Sequence, residues 1–132
     1  MALKLKIGRT LDVPVKFSLR DGAREASFAF TLVVRRLARQ EAADLLERLK
    51  LENKDRDAVE DAELTRATLA DLVSDWRGQR LVVDDDDQPA PFSAEALDLM
   101  LESVGVGQEL LTPCLKAVFD GARTEAEDRR KN

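Results

Sequence analysis

Apolar and polar residues alternate along the first third of the chain, with the two-residue period of a β-strand that is buried on one face. The alternation occurs in three stretches, whose apolar positions are Leu3, Leu5 and Ile7, then Val13, Val15, Phe17 and Leu19, then Phe28, Phe30 and Leu32. We predict that these stretches form a small antiparallel sheet within residues 1–35.

A tight turn is predicted between the second and third stretches, because Asp21 and Gly22 readily adopt the left-handed backbone conformations of short hairpin loops. With these two residues at the tip, the facing pairs are Phe17–Ala26, Val15–Phe28 and Val13–Phe30. Apolar residues then face apolar residues across the hairpin. Pro14 has no backbone N–H to donate, so we expect its strand to lie at an edge of the sheet or its nitrogen to face outward.

From about residue 36 the apolar residues follow the period of an α-helix. Four amphipathic helices are predicted over residues 36–128, and residues 124–132 are expected to fray. The residues predicted to face the core are Ala38, Ala42, Leu45, Leu46 and Leu49 in the first helix; Val59, Ala62, Leu69, Leu72, Val73 and Trp76 in the second; Leu97, Met100, Leu101 and Val104 in the third; and Leu115, Val118, Phe119 and Ala122 in the fourth.

Local signals predict where these helices begin and end. The charged run at residues 52–57 separates the first helix from the second, which should end before Gly78. Ser93 is a preferred N-cap residue for the third helix, and Phe92 precedes it in the position of a hydrophobic staple. The pair Thr112–Pro113 predicts the N-cap and first position of the fourth helix.

The segregation of strands and helices along the chain predicts the fold class α+β, with a small N-terminal antiparallel β-sheet, containing a hairpin, followed by about four α-helices. A chain of 132 residues suffices for one ordinary hydrophobic core, whereas two independent cores would each be marginal. We therefore expect residues 1–132 to form a single domain.

The composition excludes most catalytic and metal-binding chemistry. The chain has no histidine and one cysteine, Cys114, so it lacks the usual zinc ligand sets, the Ser-His-Asp and Cys-His arrangements and an internal disulfide. The sequence "GVGQ" at residues 105–108 lacks the third glycine and the preceding strand of a dinucleotide-binding loop. We expect no enzymatic activity and no cofactor, with lysine or carboxylate chemistry as the remaining enzymatic alternative.

Three further features have both a structural and a functional interpretation. The run Asp84–Asp87 lacks the alternate ligand spacing, turn glycine and closing Glu of a calcium loop, which favours a solvated connection over a metal site. Trp76 ends an apolar stripe, which favours a buried anchor over an exposed contact with a partner. Cys114 lies on the inner stripe of the last helix, where we expect a buried, inert thiol.

Charge is distributed unevenly along the chain. Residues 1–50 contain eleven Lys and Arg against six Asp and Glu, a net +5, whereas residues 51–132 contain ten against twenty, a net −10. Such polarity favours a protein partner, or a weak homo-oligomer that loosens as salt rises. The candidate protein-binding residues are Lys4, Lys6, Arg35, Arg36, Arg39, Trp76 and Arg77.

Other partners and locations are less favoured by the sequence. No stretch approaches the roughly 18 apolar residues of a membrane span, and the first ten residues lack the apolar run of a secretory signal. We therefore expect a cytoplasmic protein with no membrane partner. Nucleic acid is disfavoured because the chain is acidic overall and the aromatic residues of its basic first third are needed for the core.

Two short motifs lie in the second half of the chain, on either side of an acidic turn. Trp76–Arg77–Gly78 is predicted to end a helix that contains "LADLVSDWRG", and Pro91–Phe92–Ser93 begins the next helix within "QPAPFSAEALDLMLES". With a basic hairpin and a leucine-rich helix before them and an amphipathic helix after them, the chain resembles, over nearly its whole length, the small tail assembly chaperones of long-tailed (siphovirus-type) bacteriophages and prophages. Members of that family often have an Asp-Gly turn where this chain has Asp86–Asp87–Gln88.

The resemblance implies a non-catalytic role in a bacterial host cell. Proteins of this family coat the long helical tape measure protein, keep it soluble and help to recruit the tail tube protein, and they are absent from the finished virion. Many are also made in a longer form by programmed frameshifting. The alternative function is that of a small regulatory or nucleic-acid-binding domain that uses the basic N-terminal hairpin.

Overall fold

The chain forms a three-stranded antiparallel sheet and four α-helices in a computed structural model that describes residues 2–4, 6–51 and 57–120. In chain order the elements are β1 (Thr10–Asp21), β2 (Arg24–Arg35), α1 (Arg39–Leu51), α2 (Ala58–Leu72), β3 (Val73–Arg77), α3 (Ala94–Met100) and α4 (Val106–Phe119). The strands pair in the order β1-β2-β3, so β2 is the central strand. This arrangement confirms the predicted α+β class.

β1 and β2 form the predicted hairpin, but in a register two residues away from the predicted one. The facing pairs are Phe17–Phe28, Val15–Phe30 and Val13–Leu32. The loop consists of Gly22 and Ala23, and Gly22 has a φ of +64° at the first loop position, where a type II′ turn requires glycine. Because side chains alternate between the faces with a period of two, this shift leaves the same residues facing the core.

β3 corrects the prediction that the second helix continues to Gly78. Val73–Arg77 pairs with β2, whose second edge is otherwise open, and so satisfies backbone groups on both strands. Residues three apart normally face opposite sides of a sheet, but a bulge opposite Val33 and Val34 lets Val73 and Trp76 both face the core. The Ser74 hydroxyl donates to the Val33 carbonyl at 3.2 Å within this bulge.

The first alternating stretch does not form the predicted strand. Leu3 is 91% exposed and Ile7 is 55% exposed, and no strand includes them. Leu5, the third apolar position of the stretch, lies outside the described residues. Among the described residues, no strand pairs with the outer edge of β1.

β1 is an edge strand, as Pro14 predicts. The two-residue loop makes Asp21 and Arg24 a hydrogen-bonded pair, and such pairs recur at every second position of an antiparallel ladder. Pro14 and Thr31 therefore form a non-hydrogen-bonded pair, and the nitrogen of Pro14 faces the open edge. The proline removes a donor from that edge without breaking the ladder to β2.

The first helix begins at Arg39, later than predicted, and fewer of its residues are buried than the sequence pattern predicts. Leu45 lies in the core and Leu49 packs partly against it, whereas Leu46 is 41% exposed and Ala38 lies outside the helix and is exposed. Most of the predicted separator between α1 and α2, residues 52–56, lies outside the described residues.

α2 turns a different face inward from the predicted one. Its buried residues are Thr65, Thr68, Leu69 and Leu72. Val59 is 78% exposed and Ala62 is exposed as well. The two residues share a helical face with Arg66, whose guanidinium forms ion pairs with Glu63 and Asp98 at the surface, and this face is therefore turned to solvent.

α3 has the predicted N-cap but is shorter than predicted. The Ser93 hydroxyl oxygen accepts a hydrogen bond from the Ala96 N–H at 3.0 Å. Ala96, Leu97 and Met100 are buried. The helix ends at Met100, and Val104, which was predicted to face inward, is 98% exposed.

α4 begins at Val106, and so the prediction that Thr112–Pro113 starts the fourth helix is wrong. Gly105, with a φ of +90°, precedes the helix. The helix begins early because its buried face, which consists of Val106, Leu110, Leu111 and Cys114, starts well before Pro113. Ala122 and the predicted frayed tail lie outside the described residues.

Candidate functional site

A groove runs between the open edge of β1 and α4. One part of it is a cavity of 420 Å³ lined by Leu11, Asp12, Val13 and Pro14 from β1 and by Pro113, Lys116, Ala117 and Asp120 from α4. A second depression of 390 Å³ shares Pro14 and Pro113 with the first and is also lined by Val15, Lys16, Gln108, Glu109 and Thr112. We call this continuous surface the β1–α4 groove.

Two prolines reduce the number of backbone N–H donors that line the β1–α4 groove. Pro14 leaves one position of the strand edge without a donor, and Pro113 cannot donate the helical hydrogen bond to the Glu109 carbonyl. The walls therefore lack a backbone N–H donor at these two points, and an occupant cannot accept a backbone hydrogen bond there.

The β1–α4 groove has an apolar floor and a rim that carries both signs of charge. Leu11, Val13 and Ala117 provide apolar surface, and all three also contact the core. The rim contains Lys16 and Lys116 together with Asp12, Glu109 and Asp120. Such a surface suits an apolar helix or an extended segment more than a strongly charged ligand.

Arg35, one of the predicted protein-binding residues, has an internal structural role. Its Nη1 donates to Glu41 at 2.9 Å, its Nη2 to the Asp71 carboxylate at 2.8 Å, and its Nε to the Asp71 carbonyl at 3.0 Å. The hydrogen bond to Asp71 raises the pKa of the guanidinium, with a smaller contribution from Glu41. Arg35 thus joins the end of β2 to the start of α1 and the end of α2.

Three other predicted residues also have internal partners. The Nε of Arg36 donates to the Gly8 carbonyl at 3.2 Å. Arg77 forms an ion pair with Asp12 across the outer face of the sheet. Trp76 is buried, with 6% of its surface exposed.

The remaining predicted residues, Lys4, Lys6 and Arg39, are exposed, and the structure gives them no ion-pair partner among the described residues. None of the seven predicted residues lines the β1–α4 groove. The structure therefore separates the free basic residues from the apolar groove.

A buried cluster around Trp76 closes the loop between β3 and α3. The Trp76 ring packs edge to face on Phe92 with 5.2 Å between the centroids, and its Nε1 donates to the Ala90 carbonyl at 3.0 Å. Gln79, only 1% exposed, donates to the carbonyls of Ala90 and Val82 and accepts from the N–H groups of Leu81 and Val82. Sequence reasoning missed Gln79, because a lone glutamine beside Gly78 looks like a surface residue.

The run Asp84–Asp87 forms a turn of the loop between β3 and α3. Asp84 Oδ1 accepts from the N–H groups of Asp86 at 2.9 Å and Gln88 at 3.0 Å. Asp87 has a φ of +59° and is the one described non-glycine residue with a positive φ. Among the described residues no group of three or more His, Cys, Asp and Glu side chains is placed to hold a metal ion.

Cys114 is fully buried in α4. Burial raises the pKa of its thiol to about 12, so the nucleophilic thiolate is scarce at neutral pH. Within the described ranges, no helix is both long and apolar enough to cross a membrane.

Comparisons with known proteins give no relative from which a function could be transferred. No protein-family model matches the chain, and no curated protein or solved structure is significantly similar to it. The function must therefore be argued from the motifs and from the surfaces of the described residues.

Proposed function

We propose that this protein is a tail assembly chaperone of a long-tailed bacteriophage or prophage, which binds and solubilises the tape measure protein and aids recruitment of tail tube subunits in the cytoplasm of the host cell. The role is non-catalytic. Its basis is the resemblance in motifs and element order described above.

The packing of Trp76 on Phe92 is the observation that carries this proposal. These residues come from the two motifs on which the resemblance rests, and their rings are in direct contact. The motifs therefore act as one structural unit that fixes the approach to α3. The turn between them also suits the family pattern, because Asp87 adopts a left-handed conformation in which glycine is favoured.

The β1–α4 groove is the client site in this proposal. A chaperone for a long helical protein needs accessible apolar surface, and this groove combines an apolar floor with a mixed-charge rim. The 14 residues of α4 make its helical wall about 21 Å long, enough to contact about four turns of a client helix. Contact of this kind should depend little on salt.

The proposal is tested by co-expression with a segment of the tape measure protein encoded next to this gene. We expect the client to remain soluble and to co-purify at both low and high ionic strength. Ala117→Arg places a long charged side chain on the groove floor and should reduce the retained client about tenfold or more. Ala67→Arg, at an exposed alanine of α2, is the matched control and should retain the client.

Two results would contradict the proposal. One is an insoluble or unretained client with the folded parent protein, and the other is equal loss of client with both arginine variants. The neighbouring DNA gives an independent check, because a tail tube gene upstream and a very long tape measure frame downstream are expected.

A regulatory or nucleic-acid-binding role is the second candidate, and the free basic residues favour it. Lys4, Lys6 and Arg39 are exposed and have no ion-pair partner among the described residues. In this case duplex DNA should bind with an affinity that falls steeply with salt and falls further when these three residues are replaced. Binding of this kind without retention of the client would favour the second candidate.

A further inference from the structure

The segment before β1 contains apolar and basic side chains that the fold of a single copy leaves exposed. Its described residues, 2–4 and 6–9, are all exposed, and we call them the leading segment. Leu3 is 91% exposed and Ile7 is 55% exposed, while Lys4 and Lys6 alternate with them and have no ion-pair partner among the described residues. A segment with this pattern is suited to a surface that is both apolar and acidic.

The outer side of α3 is such a surface. A depression of 630 Å³ there is lined by Ser93, Glu95, Ala96, Asp98, Leu99 and Glu102, which we call the α3 face. Leu99 is 54% exposed at its centre, although it belongs to a helix whose other large apolar residues are buried. Asp98 pairs with Arg66 at 3.3 Å, whereas the structure gives Glu95 and Glu102 no ion-pair partner in the described part of the chain.

We propose that the leading segment of one copy docks on the α3 face of a second copy. Leu3 and Ile7 would cover Leu99, and Lys4 and Lys6 would pair with Glu95 and Glu102. Charge complementarity distinguishes this face from the β1–α4 groove, where lysines and carboxylates are mixed and a lysine-rich segment has no net attraction.

The geometry of this contact is head to tail. Each copy has one leading segment and one α3 face, and the two surfaces are different, so a copy bound through one of them still has the other free. Contacts of this type give rings or open chains. The proposal does not rest on the proposed chaperone function, because it concerns contacts between copies of this chain alone.

Sedimentation velocity of the full chain at increasing protein concentration tests the proposal. Association is expected at about 0.1 M salt, where the Debye length is about 10 Å, and should weaken at about 1 M salt, where it is about 3 Å. The double variants Lys4→Glu/Lys6→Glu and Glu95→Lys/Glu102→Lys should each associate about tenfold more weakly than the parent.

An equimolar mixture of the two double variants gives the sharpest result. The unchanged basic segment of one variant then meets the unchanged acidic face of the other, and the two reversed surfaces also attract each other. Association should therefore return in the mixture. Arg20→Glu/Lys50→Glu, which makes the same charge change at two exposed residues outside both the α3 face and the β1–α4 groove, is the matched control and should associate as the parent does.

Three results would overturn the proposal. They are a parent that stays monomeric at low salt and high concentration, association that neither double variant weakens, and a mixture that associates no better than its components. Circular dichroism of each variant establishes that the fold is retained. Client capture is measured separately with Ala117→Arg, so a failure here is distinguishable from a failure of the chaperone proposal.

Discussion

Gln79 is a polar loop residue, yet its side chain is buried and all its hydrogen bonds are made inside the protein. Its amide makes four hydrogen bonds, and all four partners are backbone groups of Leu81, Val82 and Ala90 in the loop between β3 and α3. A buried amide is favourable only when its donors and acceptors are satisfied, as they are here. Gln79 therefore fixes the loop from within, in place of a larger apolar contact.

Replacing Gln79 by leucine should destabilise the protein by about 2–4 kcal/mol, because the N–H groups of Leu81 and Val82 lose their acceptor and leucine cannot replace it. The free energy of unfolding from urea titrations measures the effect. Gln40→Leu changes an exposed glutamine, whose Nε2 donates to Asp44 on the helix surface, and should stay within about 0.5 kcal/mol of the parent. Equal stability of the two variants would show that the hydrogen bonds of Gln79 contribute little.

Cys114 makes stability depend on pH in the alkaline range. Burial raises the pKa of its thiol to about 12, whereas the unfolded chain releases this proton near 9.0. Between these values the unfolded state binds fewer protons than the folded state, so stability falls as pH rises, by at most about 1.4 kcal/mol per pH unit from this group. At neutral pH and below, the thiol is protonated in both states and the group should have no effect.

Urea unfolding of the parent and of Cys114→Ala across this alkaline window measures the effect. The alanine variant should be less stable than the parent near neutral pH because of the cavity that it leaves, but its stability should fall less steeply as pH rises. Parallel pH profiles for the two proteins would contradict the assignment.

At the scale of elements, β1 shows how the fold protects an open edge. The strand is 12 residues long and its outer backbone groups have no strand partner among the described residues, which in general invites edge-to-edge association. Pro14 interrupts the row of donors at a position where the ladder to β2 needs none. The proline is therefore compatible with the hairpin and unfavourable for a further strand.

Pro14→Val should increase association through the edge, because it restores an N–H and adds a β-branched side chain. This association should persist at high salt, unlike the contact proposed for the leading segment. Light scattering at increasing concentration measures it. Ser18→Val adds the same side chain at an exposed position of β1 that already has an N–H, and an equal increase in both variants would exclude protection by Pro14.

At the scale of the whole molecule, α1 is held by few contacts. Leu45 is its one buried side chain among those that the structure describes, so the ion pairs of Arg35 with Glu41 and Asp71 form a main link between α1, the sheet and α2. The pKa of Glu41 is lowered, first by its hydrogen bond from the Ala38 N–H and then by Arg35. The contribution of Glu41 is therefore present above its ordinary pKa and is lost as pH falls through the lowered value.

Arg35→Met should loosen α1 selectively, because methionine keeps much of the side-chain volume but removes the donors. Hydrogen exchange of the α1 amides should become faster, while exchange in the β1–β2 hairpin changes little. Arg39→Met, at an exposed arginine without an ion-pair partner among the described residues, is the matched control. Unchanged exchange in α1 of the Arg35 variant would assign its attachment to Leu45 instead.

The sequence by itself determined the features that depend on neighbouring residues. Alternation identified the core face of the β1–β2 hairpin, Pro14 predicted an edge strand, and Ser93 predicted the start of α3. These predictions are reliable because a two-residue period, a missing donor and a capping hydroxyl each act within a few residues. The exact register was wrong, since a shift of two residues keeps the same face in the core.

Only the tertiary structure decided what Val73–Arg77 forms. The spacing of Val73 and Trp76 fits one face of a helix and also fits a bulged strand, and the choice depends on the open edge of β2, some forty residues earlier in the chain. The same holds for the β1–α4 groove, because it arises where two elements about a hundred residues apart in the chain meet. Local patterns fix which side of a segment is apolar, but the available partners decide where that side is buried.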